Sequence, residues 1–277
     1  MSAPDTLPIE GTSINWVDEL PSDLPGAVRF GPYLQACPGD ALFEWPRVAR
    51  FRVREGRQID IQVAPGSDKK RAAELAYSAP FGALVHQRGE LPLHASTVMH
   101  PRDGRIFLIA GASGAGKSTT AAAFAQRGWK VLNDDLSRLT IAESGTLVWP
   151  GFQALKLWGR SCQLLELDAS QLSTVYEAKR KYLWSSDKVE GPRVVSAIIE
   201  LHCGEGETSL TRSLGSAAIR MLLRQTFRPK LIRALGIGEA HFARVVQVAR
   251  RTPCFRFHNP HTVAPLIVAS TLEESVA

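Results

Sequence analysis

The chain has 277 residues, 44% of them hydrophobic and 22% charged, the balance of a globular protein with room for one large domain or two small ones. No apolar run approaches the roughly eighteen residues needed to cross a bilayer. Met1 to Leu20 carries acids without a basic n-region, so neither a membrane span nor a signal peptide is expected. The net charge of +6 is uneven: residues 1–26 carry only acids, whereas Ser216 to Phe257 has nine Lys and Arg against one acid. That basic third suits an acidic peptide or nucleotide phosphates better than nucleic acid, and equally suits a solvated helix face. Cys37, Cys162, Cys203 and Cys254 are scattered without a Cys-x-x-Cys pair, which reads as reduced thiols of a cytoplasmic protein.

In chain order, residues 1 to about 30 are Pro- and acid-rich and predict a loose arm. Val48 to Val63 alternates around Glu55-Gly56 and predicts a β-hairpin. Ser67 and Asp68 offer N-caps to a helix through Tyr77, and after Pro80 a second helix runs to His86. Residues 1–90 are thus expected to form a small α+β module, with a second domain over 91–277. Leu91 to Met99 predicts a strand containing His94, and Ile106 to Ala110 a buried strand.

Gly111-Ala112-Ser113-Gly114-Ala115-Gly116-Lys117-Ser118 then fits the phosphate-loop pattern of glycine, four residues and Gly-Lys-Ser, and Thr119 to Arg127 continues as an Ala-rich helix. In such a loop backbone N–H groups converge on phosphate oxygens, helped by the partial positive charge of the helix N-terminus. The expected nucleotide-binding residues are Gly111, Ser113, Gly114, Ala115, Gly116, Lys117, Ser118 and Thr119. Lys117 would reach the β- and γ-phosphates, and the Ser118 hydroxyl would bind Mg²⁺.

Trp129 to Leu132 predicts the next strand, ending in Asn133-Asp134-Asp135. Two carboxylates at a strand's C-terminal edge, seventeen residues after Lys117, can divide the work between holding Mg²⁺ and taking a proton from an attacking hydroxyl. His94 could orient or tune one of them. Leu139 to Trp149 predicts a second hairpin, and Glu177 to Lys188 an exposed loop. Val194 to Leu201 predicts a strand that Thr208 to Leu214 would pair with, followed by helices over Ala217 to Arg233 and Glu239 to Arg251 and a strand at Cys254 to Phe257. Arg220, Arg224, Arg244 and Arg251 are candidates for contacting phosphates or an acidic acceptor. Glu200 reads as a further metal-side acid or, more simply, as a strand-edge glutamate.

His94-Ala95-Ser96, the glycine loop, and Gln126-Arg127-Gly128 leading to Asn133-Asp134-Asp135 resemble the bacterial HPr kinase/phosphorylase family. The chain is most similar to its shorter relatives, the HPr-kinase-related proteins, through Leu84-Val85-His86-Gln87-Arg88-Gly89, Leu93-His94-Ala95-Ser96, and Pro150-Gly151 to Leu155-Lys156-Leu157-Trp158. Some of those relatives serve lasso-peptide biosynthesis and phosphorylate a terminal serine of the precursor.

The resemblance implies an α/β fold: a P-loop kinase domain with a mixed central sheet of the HPr kinase/phosphoenolpyruvate carboxykinase type, preceded by the small α+β module. It implies ATP and Mg²⁺ as cofactors, a peptide or protein serine as acceptor, and a hexamer. It makes Asp134 the catalytic base, Asp135 the acid near the metal, and His94 the hydrogen-bond partner of the catalytic aspartate. Ala95 stands where the bifunctional enzyme has glycine, and Glu200-Leu201-His202-Cys203-Gly204 lacks its Arg-Gly-rich signature, so phosphorylase activity and HPr as acceptor are not expected. A small-molecule kinase and a nucleotide-binding regulatory protein without transfer activity are the alternatives.

Overall fold

The computed structural model describes residues 9–176, 181–185, 188–260 and 263–276. It is a mixed α/β structure that divides into two compact units, Met1–Pro92 with Thr226–Arg244, and Leu93–Gln225 with Val245–Ala277.

The first unit holds a six-stranded sheet in the order Ser13–Trp16, Gln58–Val63, Ala49–Arg54, Asp40–Trp45, Leu34–Cys37, Val28–Arg29. The hairpin at its centre is the one expected. Its turn residues Glu55 and Gly56 both have positive φ (51° and 62°), which suits the right-handed twist of the flanking strands. Phe51, Val53, Ile59 and Ile61 are fully buried, so alternation correctly marks the inward face. The loose arm is not what residues 13–16 form: they add a parallel edge strand to Gln58–Val63, and Asn15 Nδ2 donates to Asp60 Oδ1 at 2.8 Å. An edge strand pairs through its backbone and needs no hydrophobic period, so its sequence is silent.

Helix Lys69–Ala76 begins at Asp68, whose carboxylate accepts the Lys70 N–H at 2.9 Å, the expected cap. Pro80 lies in the first turn of helix Ala79–Gln87, where a missing N–H costs little. The expected helix over 217–233 is two helices, Ser216–Arg224 and Lys230–Ala234. Pro229 lies between them, preceded by Arg228 at φ 51°; proline removes a backbone donor and turns the residue before it away from helical geometry. The break lets residues 226–244 return to the first unit, so the chain crosses between units more often than a single boundary at residue 90 requires.

Within the first unit His86 is fully buried, its Nε2–H donates to Phe227 O at 2.8 Å, and its ring centroid lies 5.8 Å from that of His241. Burial pushes the His86 pKa down from 6.5 to about 4, against the opposing effect of the Phe227 hydrogen bond. A folded pKa below the unfolded one means that the unfolded chain takes up the proton first. This contribution to stability is therefore complete above about pH 6.5 and is lost as pH falls from there to about 4. The expected loss is roughly 3 kcal/mol. Urea unfolding of the first unit between pH 7 and pH 4 should show it, and His86→Gln should flatten the profile; equal slopes in the two proteins would refute the assignment.

The second unit is built on a mixed six-stranded sheet in the order Lys130–Asn133, Ala95–Met99, Ile106–Gly111, Ala197–Gly204, Cys254–Pro260, Ser209–Ser213. The strands Ile106–Gly111, Ala197–Gly204 and Cys254–Pro260 are mutually parallel, and their neighbours run antiparallel. Helix Lys117–Gln126 and helix Pro265–Ser275 share a core with Phe107, Ile109, Ile199, Leu201 and Phe257, all on one sheet face, closed by Phe124, Val268 and Leu272. That last helix is not among the expected elements. Ser209–Ser213 pairs with Cys254–Pro260 rather than with Ala197–Gly204, because the later parallel strand inserts between them. Strand chemistry specifies a face but not a partner.

The hairpin Ser137–Ala142 with Gly145–Trp149 forms as expected. A separate three-stranded sheet has Ala154–Trp158, Lys181–Ser185 and Ser173–Tyr176 in that order. The loop expected over 177–188 is thus a strand at 181–185, while 177–180 and 186–187 lie outside the described residues. Among the described residues no helix is long and apolar enough to cross a membrane.

Candidate active site

The glycine loop joins the central strand Ile106–Gly111 to helix Lys117–Gln126, the strand–loop–helix arrangement read from the pattern. Its glycines are demanded by geometry. Gly111 has φ 149°, and a Cβ there would lie 2.8 Å from Leu201 O on the adjacent parallel strand. Gly116 has φ 90° and caps the helix in the left-handed region. The helix N-terminus therefore opens directly onto the loop, with first-turn N–H groups that have no partner inside the helix.

Lys117 is 8% exposed, and its ammonium donates to Gly111 O at 3.0 Å and Ala112 O at 3.1 Å. Burial lowers its pKa, only partly offset by the charges of Asp135 and Asp134. The amine is thus folded against the loop, where phosphate oxygens would offer it a better partner than two carbonyls. Thr119, the last expected nucleotide-binding residue, exchanges a hydrogen bond with Ser161 Oγ at 2.8 Å.

The two aspartates after strand Lys130–Asn133 occupy opposite environments. Asp134 is buried. Its Oδ1 accepts from the Ser118 hydroxyl at 2.8 Å and the Ser96 hydroxyl at 2.7 Å, and its Oδ2 accepts from the Lys156 backbone N–H at 2.9 Å. Asp135 is exposed, at φ 72°, with half of its side chain (52%) open to solvent. Left-handed backbone at the second aspartate turns successive side chains apart.

His94 lies between strands Leu91–Leu93 and Ala95–Met99, and its Nδ1 contacts the Asp135 carbonyl at 2.8 Å and Asp135 Oδ1 at 3.1 Å. Both partners are acceptors, so Nδ1 carries the proton. The resemblance expected this histidine on Asp134; the structure sets it on Asp135. Desolvation of the covered half of the side chain would by itself raise the Asp135 pKa. The His94 hydrogen bond and the charges of His94, Lys156 and Lys117 outweigh that effect and hold the carboxyl below its ordinary value.

Glu200 lies within strand Ala197–Gly204, in the interior of the six-stranded sheet and not at a strand end. It faces Ala110 on one neighbouring strand and Arg256 on the other. Arg224 Nη2 donates to both of its oxygens at 3.0 Å, Arg256 Nε and Nη2 donate to Oε2 at 3.1 Å, and Gln225 Nε2 donates to Oε1 at 2.9 Å. Burial would raise its pKa, but the Gln225, Arg224 and Arg256 hydrogen bonds prevail and lower it. Gln225 Oε1 also accepts the Gly111 N–H at 3.1 Å, which ties this cluster to the start of the glycine loop.

Of the four arginine candidates, Arg224 alone joins this cluster. Arg251 donates to Ala142 O, Arg244 donates to Gly89 O within the first unit, and Arg220 is exposed. Sequence reasoning gave no role to Ser96, Gln225 or Arg256. Ser96 lies two residues after His94 and was within reach of the pattern, whereas Gln225 and Arg256 carry no local signal.

No protein-family model matches this sequence. No curated protein matches it either. Among solved structures, the chain is similar to the HPr(Ser) kinase/phosphatase from Coxiella burnetii, with 12% identity and a TM-score of 0.34 over 66% of this chain and 95% of that one.

Proposed function

We propose that this chain is an Mg-ATP-dependent kinase that transfers the γ-phosphoryl group to a hydroxyl, foremost a serine of a peptide or protein. The observation that carries the reading is the divided aspartate pair beside the glycine loop. One carboxylate is held on the loop's serine, and the other is exposed with a histidine on it.

The Ser118 hydroxyl with Asp134 is a hard-oxygen donor set of the kind Mg²⁺ takes in phosphate sites, where one or two carboxylates suffice and substrate phosphates complete the shell. Among the described residues there is no cluster of three His, Cys, Asp or Glu side chains, and this arrangement does not need one. Bound Mg²⁺ would neutralise charge on the β- and γ-phosphates. The loop amides and Lys117 hold the triphosphate in line.

The environments favour Asp134 for the metal side and Asp135 for the base, the reverse of the assignment carried by the resemblance. Asp135 accepts the proton of the acceptor hydroxyl as the new oxygen–phosphorus bond forms and the bond to the β,γ-bridging oxygen breaks, releasing ADP. His94 fixes the orientation of that carboxylate. Positioning and electrostatics supply most of the rate.

The test incubates the full chain and Mg-ATP with HPr and with serine-containing precursor peptides of the lasso type, and reads the products by mass spectrometry. A gain of one phosphate on serine, lost in Asp135→Asn, is the expected result. Labelling of metabolite hydroxyls alone would replace the polypeptide acceptor with a small molecule. ATP binding without transfer to any acceptor would leave a nucleotide-binding regulator and overturn the kinase reading.

A further inference from the structure

We propose that Arg224 and Arg256, clamped by Glu200, form an oxyanion-binding site separate from the glycine loop, which receives a phosphate or carboxylate group of the acceptor. That the ligand belongs to the acceptor rests on the kinase reading; that the site binds an oxyanion does not.

The cluster has more cation than its carboxylate needs. Two guanidinium groups face one carboxylate, leaving a net charge of +1, and one bidentate arginine would already neutralise Glu200. The carboxylate is 7% exposed while the Arg224 and Arg256 side chains are 48% and 49% exposed. A guanidinium has five N–H donors. Arg224 engages Glu200 through Nη2 only, and Arg256 through Nε and Nη2. Further donors of each fork therefore point away from the buried acid, on side chains whose planes Glu200 has already set. An anion arriving there meets a preorganised pair, and less side-chain freedom is lost on binding.

Position separates this pair from the nucleotide's own ligands. Alternation along strand Ala197–Gly204 puts Ile199 and Leu201 in the core beneath helix Lys117–Gln126, so Glu200 and its register partner Arg256 project from the other sheet face. The loop amides, the helix N-terminus and Lys117 serve the nucleotide on the first face. The arginines stand on the second, joined to the loop through the side chain of Gln225, which holds both Gly111 N–H and Glu200. A second negative group bound there would lie beside the start of the loop without competing for its amides.

Isothermal titration of the full chain with inorganic phosphate, and in a parallel arm with succinate, tests this in the presence of saturating Mg-ADP. One oxyanion is expected to bind with the glycine loop occupied, and the better of the two probes names the group. Replacing both arginines with glutamine would strand the Glu200 charge, so two other variants are used. Arg224→Lys with Arg256→Lys keeps the charge balance and loses the forks, and should weaken oxyanion binding by about tenfold or more.

Arg224→Gln, Glu200→Gln and Arg256→Gln together remove the whole network and should abolish binding, with Mg-ADP affinity and thermal melting checked alongside. If the triple variant fails to fold, the lysine pair decides. No oxyanion bound under saturating Mg-ADP, or unchanged binding in the lysine pair, overturns the proposal. Lys117→Ala keeps the two readings distinct: it should weaken Mg-ADP binding by about tenfold or more and retain the oxyanion. Unchanged Mg-ADP binding in that variant would strike at the nucleotide site and leave the arginine site standing.

Discussion

Asp135→Asn should lower Mg-ATP-dependent transfer by about 10²- to 10⁴-fold, the range a positioned general base supplies, while Mg-ATP affinity changes little. The substitution keeps size and shape and removes only the proton acceptor. Asp135 lies at an exposed, left-handed turn with His94 Nδ1 on its oxygens, so the fold should tolerate the amide.

Asp134→Asn should behave differently. Both Asp134 oxygens already accept hydrogen bonds, from two hydroxyls on one side and the Lys156 N–H on the other. An amide there turns an N–H₂ group toward another donor, at a cost of about 1–3 kcal/mol in stability, and also weakens Mg²⁺ binding, so that more Mg²⁺ is needed for transfer. Single-turnover rates with Mg²⁺ titrations on both variants separate the roles. Transfer within about tenfold of wild type in Asp135→Asn would remove it as the base. The same logic bears on pH: a depressed pKa keeps the Asp135 carboxylate ionised as pH falls, so protonation of the base does not limit transfer above the ordinary aspartate value of 3.8.

The second large effect belongs to Lys117. Its ammonium is desolvated against two loop carbonyls, and phosphate oxygens would exchange those contacts for charge-assisted bonds. Hydrogen bonds to charged groups are worth about 1.5–3 kcal/mol, so Lys117→Ala should weaken ATP binding by about 10- to 150-fold and slow transfer as well. Arginine should not restore it, because a planar fork does not fit a space shaped for a compact ammonium. Fluorescent ATP-analogue binding is the direct measurement. An unchanged dissociation constant would mean that the loop does not hold the triphosphate.

How much of this was readable in advance follows from the range over which each feature is determined. The glycine loop, its strand and its helix occupy one continuous stretch, and their requirements are local: positive φ at Gly116, no side chain at Gly111, an amine one residue on. Spacing was enough to place them. The first hairpin and the Asp68 cap are equally local, and both appeared where the pattern put them.

Neighbouring residues with the same chemistry were not resolved that way. Asp134 and Asp135 are interchangeable as letters, and the φ of 72° at the second sends one carboxylate to Ser118 and leaves the other with His94. The Glu200 cluster lay further from reach. Its members are separated by 24, 25 and 56 positions in the chain, and only the parallel insertion of Cys254–Pro260 beside Ala197–Gly204 sets Arg256 opposite Glu200. The sequence by itself determined the strand, glycine loop and helix that are proposed to hold phosphate, because backbone conformation and short spacing are written residue by residue. The tertiary structure decided which acid meets which partner, because strand order and register are properties of the whole sheet and no short stretch encodes them.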